Sequence, residues 1–400
     1  MNIFKKVYCR GIQFVFKIAL PFLPYRKPII LETTSDIANT LKEKNINSVL
    51  LISGKNVRKN NLTLELEDAL KENNINFYIY DSVTSNPETT VIEDAKEFYL
   101  NNNCQAIIGF GGGSQIDTAK ALGALIVYPK KRVKDLKGTM KVLRKIPLLF
   151  AVPTTAGSGS EATVASVVTD SETHHKYTLN NFTMIPKYAL LDPKLTYTLP
   201  KHLTSTTGMD ALTHAVEAYI GRSTTKTTRK DSIEAVKLIF ENILTAYNNP
   251  LDSTARSNML KASYLAGCAF TKSYVGYIHA ISHPLSGKYN TPHGLANSVV
   301  MPYVLEEYGK CIYKKLYRLA MEVNLVDSND SYEVGAKKFI HAIKELNMKM
   351  DIPNSFDFIK EEDINEMSRY ADKEANPLYP VPTIWNREKI ARIYQKISKI

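Results

Sequence analysis

Four of the chain's eight histidines fall in two short stretches. Thr207-Gly-Met-Asp-Ala-Leu-Thr-His-Ala-Val-Glu217 holds Asp210 and His214. Ile278-His-Ala-Ile-Ser-His-Pro284, running on to Thr291-Pro-His-Gly294, holds His279, His283 and His293. Asp210 and His214 stand four apart, so on a helix both side chains leave one face and can share one ion. The surrounding Met209, Ala211, Leu212, Ala215, Val216 and Ala218 predict a mostly buried helix, where an unpaired carboxylate is costly. A plainer reading competes: Thr207 and Asp210 have the T-x-x-D spacing of a capping box that opens a helix, and His214 is then a satisfied core histidine.

His279 and His283 are again four apart, but His283 precedes Pro284, and a residue before proline is pushed out of helical geometry. His283 is therefore expected at a helix end, facing an opening. His293 follows a proline and precedes a glycine at the start of the apolar helix Leu295 to Val304, held on a rigid turn. Three imidazoles and one carboxylate suit a divalent transition metal such as iron(II) or zinc; calcium and magnesium want more oxygens. If Asp210 and all four histidines were ligands, no position would remain for a substrate, so His283 is set aside for proton transfer or for a place just outside the ligand set.

A second chemical element lies upstream. Ala106-Ile-Ile-Gly-Phe-Gly-Gly-Gly-Ser-Gln-Ile-Asp-Thr-Ala-Lys120 reads as a strand, a glycine turn and a helix. Three successive glycines leave backbone amides open at a helix N-terminus, which suits a phosphate. The spacing is neither GxGxxG nor GxxxxGK[ST], so those two motifs are excluded; a tight turn with Ser114 capping the helix is the plain alternative. Pro153-Thr-Thr-Ala-Gly-Ser-Gly-Ser-Glu-Ala-Thr163 follows the next apolar strand and offers hydroxyls at the same end of the sheet. Two such loops at successive strand ends point to a nucleotide.

The elements that must position these groups follow from periodicity. A polar helix (Asp36 to Lys44), the run Val49 to Ile52, a helix over Leu62 to Asn73, and Phe77 to Tyr80 alternate as in a parallel sheet covered by helices. A helix ending near Asn101, the strand Ala106 to Gly109, the helix Ile116 to Ile126 and the strand Pro147 to Val152 continue the pattern. After Pro200 the segments lengthen and keep helical spacing. The expectation is an α/β dinucleotide-binding domain over 28–200 and an all-helical metal-binding domain over 201–400, with the active site in the cleft where they meet.

The first residues, MNIFKKVYCRGIQFVFKIALPFLPYRKP, mix Lys5, Lys6, Arg10 and Lys17 with Phe4, Ile12, Phe14, Val15, Phe16, Ile18 and Leu20. This amphipathic extension, residues 1–27, is too interrupted by Lys17 and Pro21 to span a bilayer. Packing on its own domain or on a partner subunit is expected, with peripheral membrane contact as the alternative. Four scattered cysteines without a CxxC pair suggest neither a zinc knuckle nor a redox dithiol and fit a reducing, cytoplasmic setting. The net charge of +11 is spread along the chain without interleaved aromatics, so nucleic-acid binding is not expected.

GGGSQIDTAK, PTTAGSGSEAT, DPKLTYTLP, TGMDALTHAVEAY and HAISHPLSGKYNTPHGLANSVVMP, in this order, resemble the iron-containing alcohol dehydrogenases, over about residues 28 to 390. The resemblance implies a metal-dependent oxidoreductase that moves a hydride between NAD(P)(H) and a small alcohol or aldehyde, working as a homodimer. It implies Asp210, His214, His279 and His293 as metal ligands and His283 lining the substrate site. It also implies cofactor contacts from Gly112, Gly113, Ser114, Asp117, Thr154, Thr155 and Ser158, with Lys176 in HHKYTL, Leu199, and Asn86 and Pro87 in VTSNP beside them; Phe270 is implied as a pocket wall. Where NAD-preferring members carry an aspartate after the strand Val49 to Ile52, this chain has Gly54, with Lys55 and Arg58 close by. A carboxylate there repels a 2′-phosphate, so its absence favours NADP(H) over NAD(H). Iron(II) is the expected ion and zinc the alternative. Two rivals share the fold: a dehydroquinate-synthase-like lyase, which would call for more basic residues around the metal motifs, and an inactive scaffold, which would have lost part of them.

Overall fold

The computed structural model describes residues 3–173, 176–327 and 329–398. The chain divides into two compact units, one of residues 24–199 and one that joins the residues up to Leu23 to those from Pro200 onward. The N-terminal helix α1 (Ile3–Ala19) therefore belongs with the C-terminal helices.

The unit 24–199 runs β1 (Ile29–Leu31), α2 (Thr34–Glu43), β2 (Ser48–Ile52), α3 (Lys55–Lys59), α4 (Leu64–Glu72), β3 (Asn76–Tyr80), α5 (Thr89–Asn101), β4 (Ala106–Gly111), α6 (Gly113–Ile126), β5 (Gly138–Thr139), β6 (Leu148–Pro153), β7 (Ala165–Thr169), β8 (Lys176–Asn180) and β9 (Tyr188–Leu190). Six strands form a parallel sheet in the order β1-β9-β6-β4-β2-β3, and β5, β8 and β7 form a separate three-stranded sheet. In β2, Leu50 and Ile52 pack on one face while Val49 and Leu51 pack on the other, all with no exposure. That double burial is why the strand reads as an unbroken apolar run. Each such side chain contributes about 1.5–3 kcal/mol. Helices α2 and α4 end on Asn45 and Asn74 in the left-handed conformation, which asparagine tolerates better than other non-glycine residues.

The strand order places a reversal point between β2 and β4, because β3 pairs on one side of β2 and β4 on the other. Ligands of open parallel sheets bind beyond the strand C-termini at such a point. Gly54 follows β2 there, and Gly111 closes β4 with Gly112 and Gly113 just after it.

The second unit adds α7 (Lys201–Ile220), α8 (Lys226–Asn248), α9 (Ser253–Ser273), α10 (Tyr277–Tyr289), α11 (His293–Tyr308), α12 (Tyr313–Glu322), α13 (Tyr332–Lys349), α14 (Glu361–Ala375) and α15 (Arg387–Ile397). Among the described residues no helix is long and apolar enough to cross a membrane. Two sequence expectations are corrected here. Helix α7 starts at Lys201 with Pro200 as its N-cap, so Thr207 and Asp210 lie inside it; the Thr207 hydroxyl donates to the Leu203 carbonyl and there is no capping box. His283 is not at a helix end, because α10 runs through Pro284 to Tyr289. Tertiary anchors hold α10: the Tyr277 ring stacks on Trp385 at 4.6 Å, and the Tyr394 hydroxyl donates to the Ile281 carbonyl at 2.7 Å. Such packing outweighs the local bias of the residue before proline. His283 is nonetheless exposed, its side chain at 42%.

Candidate metal centre and nucleotide elements

On α7, Asp210, His214 and Glu217 follow one another by four and three residues, so one helix face carries all three. That face is buried, with Asp210 and His214 each 5% exposed. His279 comes from α10 and His293 is the first residue of α11. One ligand atom from each of Asp210, His214, His279 and His293 lies within 4.8 Å of the others. Close approach of α11 to α7 needs Gly294, since a Cβ there would stand 2.4 Å from the Thr206 carbonyl oxygen.

The Asn297 amide reads out the convergence. Its Nδ2 donates to Asp210 Oδ1 at 2.7 Å and sits 3.1 Å from His293 Nε2 and 3.2 Å from His279 Nε2. Three electron-pair donors facing one electropositive group, in a pocket walled by apolar helix surface, is what a divalent cation needs, and nitrogen with one carboxylate oxygen suits iron(II) or zinc. The Phe270 ring stacks on His214 at 4.2 Å and forms a wall beside the ligands.

Glu217 holds His279 from behind. Its Oε2 lies 2.6 Å from His279 Nδ1 and accepts from the Gly276 amide at 2.8 Å, while Oε1 accepts from the Ile278 amide at 2.7 Å. A carboxylate on Nδ1 fixes the proton there and leaves Nε2 as the lone-pair donor. Burial pushes the Glu217 carboxyl up to about 8, against the lowering by those backbone amides. Burial beside the other imidazoles drives the His279 pKa well below its usual value, which favours the neutral imidazole. Glu217→Ala should weaken metal binding about 10- to 100-fold, measured by competition with a chelator of known affinity.

His283 stands outside the four, its ring 5.2 Å from that of His293. Its Nδ1 is 2.6 Å from Glu374 Oε1, which also accepts from the Tyr379 hydroxyl at 2.7 Å. Sequence reasoning did not single out Glu217, Asn297 or Glu374. The first two carry a usable signal, one residue at i+3 from His214 and one at i+4 from His293. Glu374 carries none, lying 91 residues from its partner.

In the unit 24–199, Gly111 has φ +151°, and a Cβ there would come within 2.7 Å of the Gln115 side chain. Only glycine serves at that turn. Gly112 is the N-cap of α6 and makes no side-chain cap, so Ser114 does not cap the helix; its hydroxyl donates to the Ser85 carbonyl, tying the glycine turn to the Asn86-Pro87 loop. Thr154 is buried and bonded by its amide to the Gly111 carbonyl, and the Ser158 hydroxyl accepts from the Ser160 amide. Thr155 is half-buried beside Gly112. Asp117 is turned inward: it accepts from the Ser160 hydroxyl at 2.5 Å and from the Val167 amide at 2.9 Å. Buried Lys120 donates to Ser160, Thr163 and the Ala165 carbonyl, and burial lowers its pKa to about 8. This network locks the 153–164 loop to α6.

Lys176 opens β8 and is exposed, and His174 and His175 before it lie outside the described residues. Leu199 is the last residue of this unit, half-buried. Arg58 is engaged by Glu67 and Thr63 and half-buried, so of the two cations near Gly54 it is Lys55 that is exposed.

Comparison with known proteins bears on both units. Residues 29–193 match the family described as iron-containing alcohol dehydrogenase, and residues 204–398 match the C-terminal domain of the Fe-containing alcohol dehydrogenase family. The NAD-dependent methanol dehydrogenase of Bacillus methanolicus is 33% identical over 358 residues, covering 88% of this chain and 92% of that protein. The NADPH-dependent butanol dehydrogenase of Clostridium saccharobutylicum is 33% identical over 321 residues, covering 80% and 81%. The alcohol dehydrogenase structure from Oenococcus oeni superposes with a TM-score of 0.89 at 31% identity, over 94% of this chain and all of that one (100%). With both halves matched in order and four residues that could hold a metal ion brought together on α7, α10 and α11, the chain belongs to the iron-containing alcohol dehydrogenase family and is a metal-dependent alcohol oxidoreductase.

Proposed function

We propose that this chain is an iron(II)-dependent, NADP(H)-preferring dehydrogenase of short alcohols and aldehydes, with Asp210, His214, His279 and His293 as ligands and zinc as the alternative ion. The observation that carries the proposal is the convergence of those four donors, one ligand atom of each within 4.8 Å of the others, three of them facing the Asn297 amide. A cytoplasmic homodimer belongs to the same proposal.

The ion, when bound, supplies Lewis acidity toward the substrate oxygen. The nicotinamide supplies or accepts the hydride. The protein's part is positional. Glu217 aims His279 Nε2, Phe270 keeps one side of the ligand group apolar, and Asn297 orients the Asp210 carboxylate. His283, its Nδ1 engaged by Glu374, is placed beside His293 to carry the alcohol proton to or from solvent, and its exposed edge gives that proton a way out. In the other unit, the Gly112 and Gly113 amides at the α6 N-terminus are suited to the pyrophosphate, with Ser114, Thr154, Thr155 and Ser158 around them. Asp117 supports this surface by fixing the 153–164 loop. Asn86, Lys176 and Leu199 complete the proposed cofactor surface.

The NADP(H) preference rests on Gly54. It is buried, and a Cβ there would stand 2.8 Å from Gln115 Nε2 and 3.0 Å from the Val83 carbonyl oxygen. An aspartate to hold the ribose hydroxyls does not fit without moving Gln115. Exposed Lys55, next in the chain, is the group to meet a 2′-phosphate. Steady-state kinetics with a panel of short aldehydes should show lower KM for NADPH than for NADH. Lys55→Ala should raise the NADPH KM about tenfold while leaving the NADH KM nearly unchanged; equal effects on both cofactors would refute the role of this position.

A further inference from the structure

Helix α1 is mounted the opposite way round from an ordinary surface helix. The side that faces protein carries its anchoring polar groups beside buried Cys9: buried Gln13 donates to the carbonyls of Pro377 and Tyr379 at 3.1 and 2.7 Å, and Arg10 donates to those of Val381 and Pro382 at 2.8 and 2.9 Å. Lys5 pairs with Asp372 at 3.1 Å, and the Phe16 ring meets Tyr274 edge-on at 4.9 Å. With 3.6 residues per turn, Val7, Tyr8, Phe14, Val15 and Ile18 fall on a single arc of about 120°. That arc is the outward one: Phe14 is 64% exposed and Val15 68%, and Phe22 just beyond the helix is 84% exposed. Soluble surfaces expose apolar residues singly; a contiguous stripe of this kind marks an interaction surface.

Charge selects the occupant. No aspartate or glutamate precedes Glu32, while Lys5, Lys6, Arg10, Lys17, Arg26 and Lys27 are all basic. Lys6 and Lys17 are exposed and lie about 60–80° around the helix from the Phe14 edge of the apolar arc. In a two-fold pairing of this face with a second copy, α1 would meet another α1 that also carries four basic residues and no carboxylate to offset them. An anionic bilayer instead takes the arc into its headgroup boundary and its phosphates meet the lysines.

We propose that α1 is a membrane-docking helix that lies in the plane of an anionic phospholipid surface and carries the enzyme onto it, holding the helical unit through the side that carries Arg10 and Gln13. The proposal is independent of the substrate and cofactor assigned above. The test is co-sedimentation of the full-length, metal-loaded chain with extruded vesicles of pure phosphatidylcholine and of phosphatidylcholine mixed with phosphatidylglycerol. The chain should pellet with the anionic vesicles and detach as salt rises to about 0.5 M, where screening shortens to a few ångströms. Phe14→Glu with Val15→Glu should abolish pelleting, and Lys6→Gln with Lys17→Gln should lower the partition constant roughly thirtyfold. Unchanged dehydrogenase turnover in both variants shows that they are folded. A wild-type chain that stays in the supernatant with anionic vesicles overturns the proposal. So does pelleting that the Phe14 and Val15 changes leave intact. A dimer that dissociates on those same changes, with no vesicle binding, would assign the face to a second copy of the chain.

Discussion

Replacing His283 by alanine should lower kcat about 10²- to 10⁴-fold, some 3–5 kcal/mol of transition-state stabilisation, while the chain keeps its metal. The expectation follows from where the ring sits. It lies beside His293 but outside the group of four donors, and its Nδ1 is engaged by Glu374. In the role proposed for it, a group so placed moves a proton and takes no part in holding the ion. Metal content by elemental analysis and turnover measured on the same preparation check the point. If His283→Ala loses its ion, the division between ligand and proton carrier is wrong.

The complementary change is His279→Ala, which should remove both the ion and essentially all turnover, a loss of at least about 10³-fold. His279 is 2% exposed, its Nδ1 meets Glu217 and its Nε2 faces the shared position. Its removal deletes one of four donors and leaves the Glu217 carboxyl buried without its imidazole partner, so a loss of stability of about 1–3 kcal/mol should accompany it. Thermal unfolding of the metal-free forms isolates that second effect. A variant that still binds one ion tightly would place the centre elsewhere.

Spacing carried much of this site. Asp210 and His214 at i, i+4 and His293 on its Pro-His-Gly turn sit where the pattern puts them, because a buried helix face with two donors has few other uses. The parallel sheet and the glycine turn after β4 were equally legible, since strands buried on both faces leave unbroken apolar runs. Other features depend on distant residues. Strands β1 and β9 are three residues each and pair across more than 150 positions, Ile29 with Tyr188, and the small sheet of β5, β7 and β8 has no periodicity long enough to detect. Pro284 looked like a helix boundary because its anchors, Trp385 and Tyr394, lie about a hundred residues away. Arg58 looked available to a 2′-phosphate because nothing local shows that Glu67 holds it. The amphipathic character of α1 was plain in the sequence; which side packs on the protein was not, and the structure shows it to be the one that carries Cys9, Arg10 and Gln13.

The central claim is that one divalent ion at Asp210, His214, His279 and His293 makes this chain an alcohol dehydrogenase. Titrating iron(II) anaerobically into metal-stripped protein, while following NADPH oxidation with a short aldehyde, tests it most directly. Turnover should rise from baseline and saturate at one ion per chain. Turnover that ignores the metal, or its absence with both NADPH and NADH once the ion is bound, would contradict the account.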